Sequence, residues 1–227
     1  MYRKNSLKVL LYIYMKITKL GHCCLLIEYQ NKRILTDPGS YSICQNEILD
    51  LDLILITHEH ADHLHIESLK IILKKNPSVK IITNTSVGKI LSEKKINFTI
   101  LEGNQSTSFD SMLLEGFGTE HEEIYQELGK VENTGYFIDN KFFYPGDSFT
   151  NPMKPVEILA LPIVAPWTTF KTAMEYVLEI KPTIVFPVHD GMIIDGRSGP
   201  IYKLPPQILE SHNIKFIPLQ NGENIQV

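Results

Sequence analysis

Apolar residues along this chain of 227 residues fall into two rhythms. Short runs rich in Ile, Leu, Val, Phe and Tyr, bounded by Gly, Pro, Asn or Asp, read as β-strands. They lie at 16–29, 32–36, 52–57, 79–83, 98–101, 111–117, 134–138, 141–145, 157–162, 183–187 and 214–218. A helical spacing predicts helices over 63–75, 86–95 and 169–180, and more weakly over 205–212. The clearest is the third, where Phe170, Ala173, Met174, Val177 and Leu178 share one face. Thr168 or Thr169 is placed to cap it and Pro182 lies just beyond its end. Pro205-Pro206 suits the first turn of the last helix, and Asp139-Asn140 reads as a hairpin turn. The order is strands, helices, strands, helices, without a low-complexity linker or short repeat. Two mixed sheets with helices outside fit that order, although periodicity alone does not prove the layering.

Composition narrows the class. A 43% hydrophobic content and a net charge of −4 argue against disorder. So mild an acidic balance also speaks against a protein built to hold nucleic acid. The length suits a single layered domain that removes roughly 70% of its unfolded surface from water. Three cysteines, Cys23, Cys24 and Cys44, do not make a disulfide framework, which makes a reducing cytoplasm the default. Cys23 and Cys24 read as small buried strand residues. Near the start, Arg3 and Lys4 precede an apolar stretch from Val9 to Tyr14. It is too short to span a membrane, and no small-residue cleavage site follows. Residues 1–14 therefore read as a nonessential extension ahead of one domain at 15–227. Protein beginning at Met15 is expected to fold and bind metal as the full chain does. An insoluble truncation beside a soluble full chain would contradict this.

The chemistry concentrates after the apolar run Leu53–Ile56, in Thr57-His58-Glu59-His60-Ala61-Asp62-His63. Three of the chain's eight histidines fall here. A strand that stops in His-x-His throws both imidazoles to one side, since side chains alternate with period two. The turn into the next helix brings Asp62 and His63 alongside. Imidazole and carboxylate are the ligands of zinc and similar divalent metals.

His58-x-His60-x-Asp62-His63 resembles the HxHxDH signature of the metallo-β-lactamase superfamily. The resemblance implies an α/β fold of four layers, an αββα sandwich of two mixed β-sheets flanked by helices, with a metal centre at one edge. It also implies a third His, a bridging Asp and a last His, in that order. His121 fills the first place, in Gly118-Thr119-Glu120-His121. Asp147 fills the second in Tyr144-Pro145-Gly146-Asp147, matching the family's strand-Gly-Asp; Asp139 lies in the hairpin turn instead. His189 closes the run from Ile184 and fills the third.

By resemblance, His58, His60 and His121 hold one cation, Asp62, His63 and His189 hold the second, and Asp147 bridges them. Zinc is the expected metal, with manganese or iron as alternatives. Two such cations lower the pKa of a shared water from about 16 towards neutrality, giving a hydroxide that attacks carbon or phosphorus. Asp62 is also placed to orient that hydroxide and pass on its proton. Asp37, in Leu35-Thr36-Asp37-Pro38-Gly39, reads as a carboxylate that orients the ligand loop, with a plain turn as the alternative. The opening Leu20-Gly21-His22, then Leu25-Leu26-Ile27-Glu28, resembles a subgroup that includes ascorbate-6-phosphate lactonase. Departures weigh against other branches. Glyoxalase II and persulfide dioxygenases carry Gly-His-Thr at the third His, where this chain has Glu120-His121-Glu122. Flavodiiron proteins replace the second His, here His60, with Glu. RNA-processing members add a domain for which the stretch from Asp147 to His189 leaves no room.

Other residues admit two roles. His22 either faces the site or is a satisfied strand histidine. His65 and His212 read as surface residues, and Trp167 as a pocket wall or a packing residue. Arg197 and Lys203 read as solvated loop cations, with an anionic substrate group as the alternative contact. The acidic run Glu120, Glu122, Glu123 and Glu127 beside the third His would repel a polyanion unless it points away. The expectation is a cytoplasmic dinuclear hydrolase of a small molecule (lactone, ester or phosphoester), with no nucleic-acid or membrane partner. A phosphodiesterase or nuclease on the same fold would need a basic groove. A non-enzymatic metal-binding protein would be favoured by an altered ligand. Nothing marks an oligomer interface.

Overall fold

The computed structural model describes residues 14–126, 128, 130–194 and 196–227. The extension at 1–14, apart from Tyr14, and Glu127 lie outside the described residues. The first half contains β1 (Lys16–Gly21), β2 (Cys24–Tyr29), β3 (Lys32–Thr36), β4 (Leu53–Leu55), α1 (Ile66–Lys75), β5 (Lys80–Thr83), α2 (Thr85–Glu93) and β6 (Thr99–Ile100). The second contains β7 (Ser106–Phe109), β8 (Met112–Phe117), β9 (Gly135–Ile138), β10 (Phe142–Tyr144), β11 (Ile158–Pro162), α3 (Phe170–Ile180), β12 (Ile184–Val188), α4 (Gly199–Leu209) and β13 (Lys215–Phe216). A last strand, β14 (Asn224–Gln226), returns to pair with β1. Two seven-stranded sheets result, ordered β14-β1-β2-β3-β4-β5-β6 and β13-β12-β11-β10-β9-β8-β7.

Alternation along the strands builds the layers. In β2 and β4, Leu25, Ile27, Leu53 and Leu55 face inward and meet Tyr136, Ile138, Phe142 and Phe186 of the other sheet. Leu26 and Ile54 face outward and meet Leu69 and Ile72 of α1 and Val87 and Leu91 of α2. On the far side, Ala173, Met174 and Val177 of α3 and Leu209 of α4 cover Phe137, Leu159 and Val185. The order is helix, sheet, sheet, helix, as the motif's resemblance implies. Each buried Leu or Ile contributes about 1.5–3 kcal/mol, and a one-residue slip would turn these faces over.

Several elements depart from the sequence pattern. The run at 16–29 is a hairpin: the chain turns at His22, whose φ is 49°. β7 and β14 escape the pattern because they are short and carry little apolar alternation. α1 begins at Ile66 rather than 63, because His63 and Leu64 still close a turn on the His60 carbonyl. α4 begins at Gly199, so Pro205 and Pro206 sit inside it instead of in its first turn, and Pro200 takes that place. Thr169 caps α3, accepting a hydrogen bond from Thr172 N at 3.1 Å. Asp139 and Asn140 take φ values of 51° and 53°, as a tight hairpin turn requires.

The pairing directions matter most for the site. β1, β3 and β4 all point the same way, as do β8, β10 and β12. The segments that leave the ends of these strands carry His22, Asp37, residues 57–63, His121, Asp147 and His189.

Candidate metal centre

The structure brings the predicted residues into two adjoining groups. Ligand atoms of His58, His60, His121 and Asp147 lie within 4.8 Å of one another. Those of His22, Asp62, His63 and His189 do the same. Asp147 stands between the groups. Its Oδ2 is 3.3 Å from His121 Nε2, 2.9 Å from His189 Nε2 and 3.8 Å from His58 Nε2, and its Oδ1 is 3.1 Å from His63 Nε2. Asp139, the other aspartate considered, accepts hydrogen bonds from Tyr29 and Gln30 instead.

Hydrogen bonds at the outer nitrogens fix the rings. His121 Nδ1 donates to the Glu122 carbonyl at 2.5 Å, His189 Nδ1 to the Val164 carbonyl at 2.7 Å and His63 Nδ1 to Asp37 Oδ2 at 2.7 Å. Thr57 Oγ1 gives its single proton to Asp37 Oδ2 at 2.7 Å, so it accepts from His58 Nδ1 at 3.0 Å. With each Nδ1 engaged outward, each Nε2 faces the Asp147 carboxylate.

Asp37 is the hub of this outer layer. It is fully buried and accepts hydrogen bonds from Thr57 N, Thr57 Oγ1, His63 Nδ1 and the Tyr144 hydroxyl. It thereby orients His63 directly and His58 through Thr57, which is more than a plain turn would do. Gly39 lets this loop approach the motif: a Cβ there would stand 1.7 Å from the Asp62 carbonyl oxygen. The last ligand is braced differently. Asp190 pairs with the fully buried Lys19 at 2.6 Å and also accepts the Tyr202 hydroxyl.

The donor set fits divalent cations. His58 Nε2, His63 Nε2, His121 Nε2 and Asp147 Oδ1 are buried and have no hydrogen-bond partner. Buried polar atoms are rarely left so, and their gathering within the two His/Asp groups suits bound cations. The Asp147 carboxyl lies well below the usual carboxylate range: burial pushes it up, but the imidazoles of His63 and His189 outweigh burial. Burial, aided by neighbouring imidazoles, lowers His58 well below its ordinary value and lowers His60 as well. Both are therefore neutral, the ligand form. For Asp62, burial again works upward, while the His22 hydrogen bond and nearby imidazoles hold the carboxyl down. Cys23 also lies within 4.8 Å of His63 and Asp147. Burial pushes its thiol up to about 12. It occupies the turn after β1, while Cys24 opens β2; both are buried.

Around the rim, Trp167 is half-buried, with its ring 5.7 Å from those of both His121 and His189. Tyr41, 50% exposed, lies 4.9 Å from the His22 ring. Glu120 and Glu123 are exposed, while Glu122 is half-buried and accepts Phe149 N at 2.8 Å. The acidic run is thus partly a brace for the loop of Asp147. His65 is half-buried and bonded to Ser68 rather than solvated, whereas His212 is exposed. Arg197 is exposed in a turn; Lys203 is exposed too, but on α4 rather than in a loop.

Residues 16–189 match the model of the β-lactamase superfamily domain. A UPF0173 protein of Pyrococcus abyssi is 31% identical over 192 residues, covering 81% of this chain and 87% of its own length. A UPF0173 metal-dependent hydrolase of Thermoplasma acidophilum is 26% identical over 189 residues, covering 77% of this chain and 83% of its own. Among solved structures, Igni18, a metallo hydrolase of Ignicoccus hospitalis, superposes with a TM-score of 0.74 at 19% identity, over 94% of this chain and 98% of that one. Isothiocyanate hydrolase from Delia radicum gut bacteria gives 0.68 at 16% identity, over 93% and 98%. At such identities these structures speak for the fold alone. The paired seven-stranded sheets, the His/Asp loops gathered at one edge and the match over most of the chain agree: this protein belongs to the β-lactamase superfamily, in its metallo-β-lactamase fold.

Proposed function

We propose that this chain is a metal-dependent hydrolase that uses two divalent cations, zinc before manganese or iron, on a small-molecule substrate in the cytoplasm. The observation that carries this reading is the set of buried, partnerless ligand atoms made by Asp147 Oδ1 and the Nε2 atoms of His58, His63 and His121. His58, His60 and His121 would hold one cation and Asp62, His63 and His189 the other, with Asp147 placed to serve both. Relatives bearing the name metal-dependent hydrolase support the activity. When bound, such a pair supplies Lewis acidity and lowers the pKa of a shared water from about 16 towards neutrality.

The chain's own residues supply the rest. Asp62 has 22% of its side chain exposed, against 2% for Asp147, so it is the carboxylate that meets the cleft and takes or passes a proton there. Asp37, through Thr57 and His63, keeps the imidazoles from turning. Trp167 supplies a flat apolar wall beside the reacting position. Truncating it in Trp167→Ala is expected to raise KM about tenfold, equivalent to about 1.4 kcal/mol of contact. Such a wall binds ground and transition states alike, so kcat should change little. Steady-state kinetics checks both.

The opening strands resemble the ascorbate-6-phosphate lactonase subgroup, which makes a lactone the first substrate to try. The exposed Glu120 and Glu123 near the rim disfavour a nucleic-acid substrate. The test is a panel of lactones, carboxylic esters and phosphodiesters. Turnover of a lactone or ester, abolished by chelation and restored by zinc, is expected. Preference for phosphodiesters would assign the alternative chemistry. A zinc-, manganese- and iron-reconstituted chain that turns over none of them would contradict a hydrolase.

A further inference from the structure

His22 stands among the ligands, yet its hydrogen bonds run the opposite way from theirs. The Gly191 backbone N–H donates to its Nδ1 at 3.0 Å. A backbone N–H can only donate, so Nδ1 keeps its lone pair on that side. A neutral imidazole has one proton, which must then sit on Nε2. That nitrogen is 3.2 Å from Asp62 Oδ2 and donates to it. His58, His63, His121 and His189 show the reverse arrangement: Nδ1 is engaged outward, and Nε2 is the nitrogen turned inward towards Asp147. A protonated Nε2 cannot coordinate a cation.

The same residue joins the two halves of the fold. Its carbonyl accepts the His189 backbone N–H at 3.4 Å, and its ring lies 4.2 Å from that of His189. Gly191 is suited to this contact because a Cβ there would stand 2.9 Å from His22 Nδ1. At 1% exposure, His22 does not touch substrate. We propose that His22 is a positioning residue and not a ligand: it clamps Asp62 of the first sheet to the His189–Gly191 segment of the second, so that the second cation finds its ligands in register. The inference rests on the two-cation reading above.

The test withdraws zinc from the loaded full chain with a chromophoric chelator and resolves the two affinities. His22→Phe keeps the ring volume without the donor. It is expected to weaken the second zinc roughly 10–100-fold, the usual cost of losing an outer partner, and to leave the first unchanged. His22→Gln, whose amide N–H reaches the same place, is expected to recover most of that loss. Gly191→Ala, which crowds His22 without altering it, should repeat the selective loss and stands in if the Phe variant does not fold. At saturating cobalt(II), the absorption spectra of the Gln and Phe variants should match the unaltered chain. A second zinc held as tightly in the Phe and Ala variants as in the unaltered chain overturns the proposal. So do cobalt spectra altered in both His22 variants, which would make His22 a ligand. An unaltered chain that holds fewer than two zinc ions overturns the two-cation reading itself, and this inference with it.

Discussion

Asp147→Asn is expected to release one of the two cations and to lower kcat/KM by more than the roughly 100-fold that loss of an outer partner costs. The substitution is nearly isosteric, so the loop and the core around it should survive. What changes is charge and donor type. Both carboxylate oxygens face imidazoles, Oδ1 that of His63 and Oδ2 those of His121 and His189. An amide replaces one of them with an N–H group that cannot bind a cation, and it removes the negative charge that two cations need between them. Elemental analysis and steady-state kinetics of the variant decide the matter. Two cations per chain with near-normal turnover would remove Asp147 from the bridge.

Asp37→Ala should have the next largest effect, and it should act on the fold as well as on the metal. Four donors converge on this buried carboxylate. Each buried donor left unsatisfied costs about 1–3 kcal/mol. The loss in unfolding free energy is therefore expected to reach at least about 3 kcal/mol, with zinc affinity weakened roughly 10–100-fold as His58 and His63 lose their orientation. Urea unfolding and chelator competition measure the two effects separately. A variant as stable as the unaltered chain, with both cations held normally, would reduce Asp37 to a turn residue.

How much of this was legible in the sequence depends on how local each feature is. The cluster from His58 to His63 is compact enough to announce its chemistry. His121, Asp147 and His189 are scattered, and only their order within a family pattern picks them out. The outer network is not legible at all: Tyr144 reaches Asp37 across 107 positions, and nothing in either local sequence implies the contact. His22 was obscured because the apolar run from Cys23 to Ile27 makes residues 16–29 look like one strand. The turn at His22 depends on a left-handed backbone at a residue other than glycine. The layers were easier, because inward and outward faces follow directly from alternation in strands such as Leu53–Leu55. The edge strands β7 and β14 owe their pairing to neighbours rather than to their own apolar pattern. For α4, the pair Pro205-Pro206 looked like a helix start. In the structure Pro200 serves the first turn, and Pro205 is buried inside the helix.

The measurement that bears most directly on the central claim is metal content per chain, by elemental analysis of protein purified without chelators. About two cations per chain, in keeping with the dinuclear mechanism, is the result this account predicts. One or none, persisting after reconstitution with zinc, manganese and iron, would contradict it and leave a mononuclear or binding role in its place.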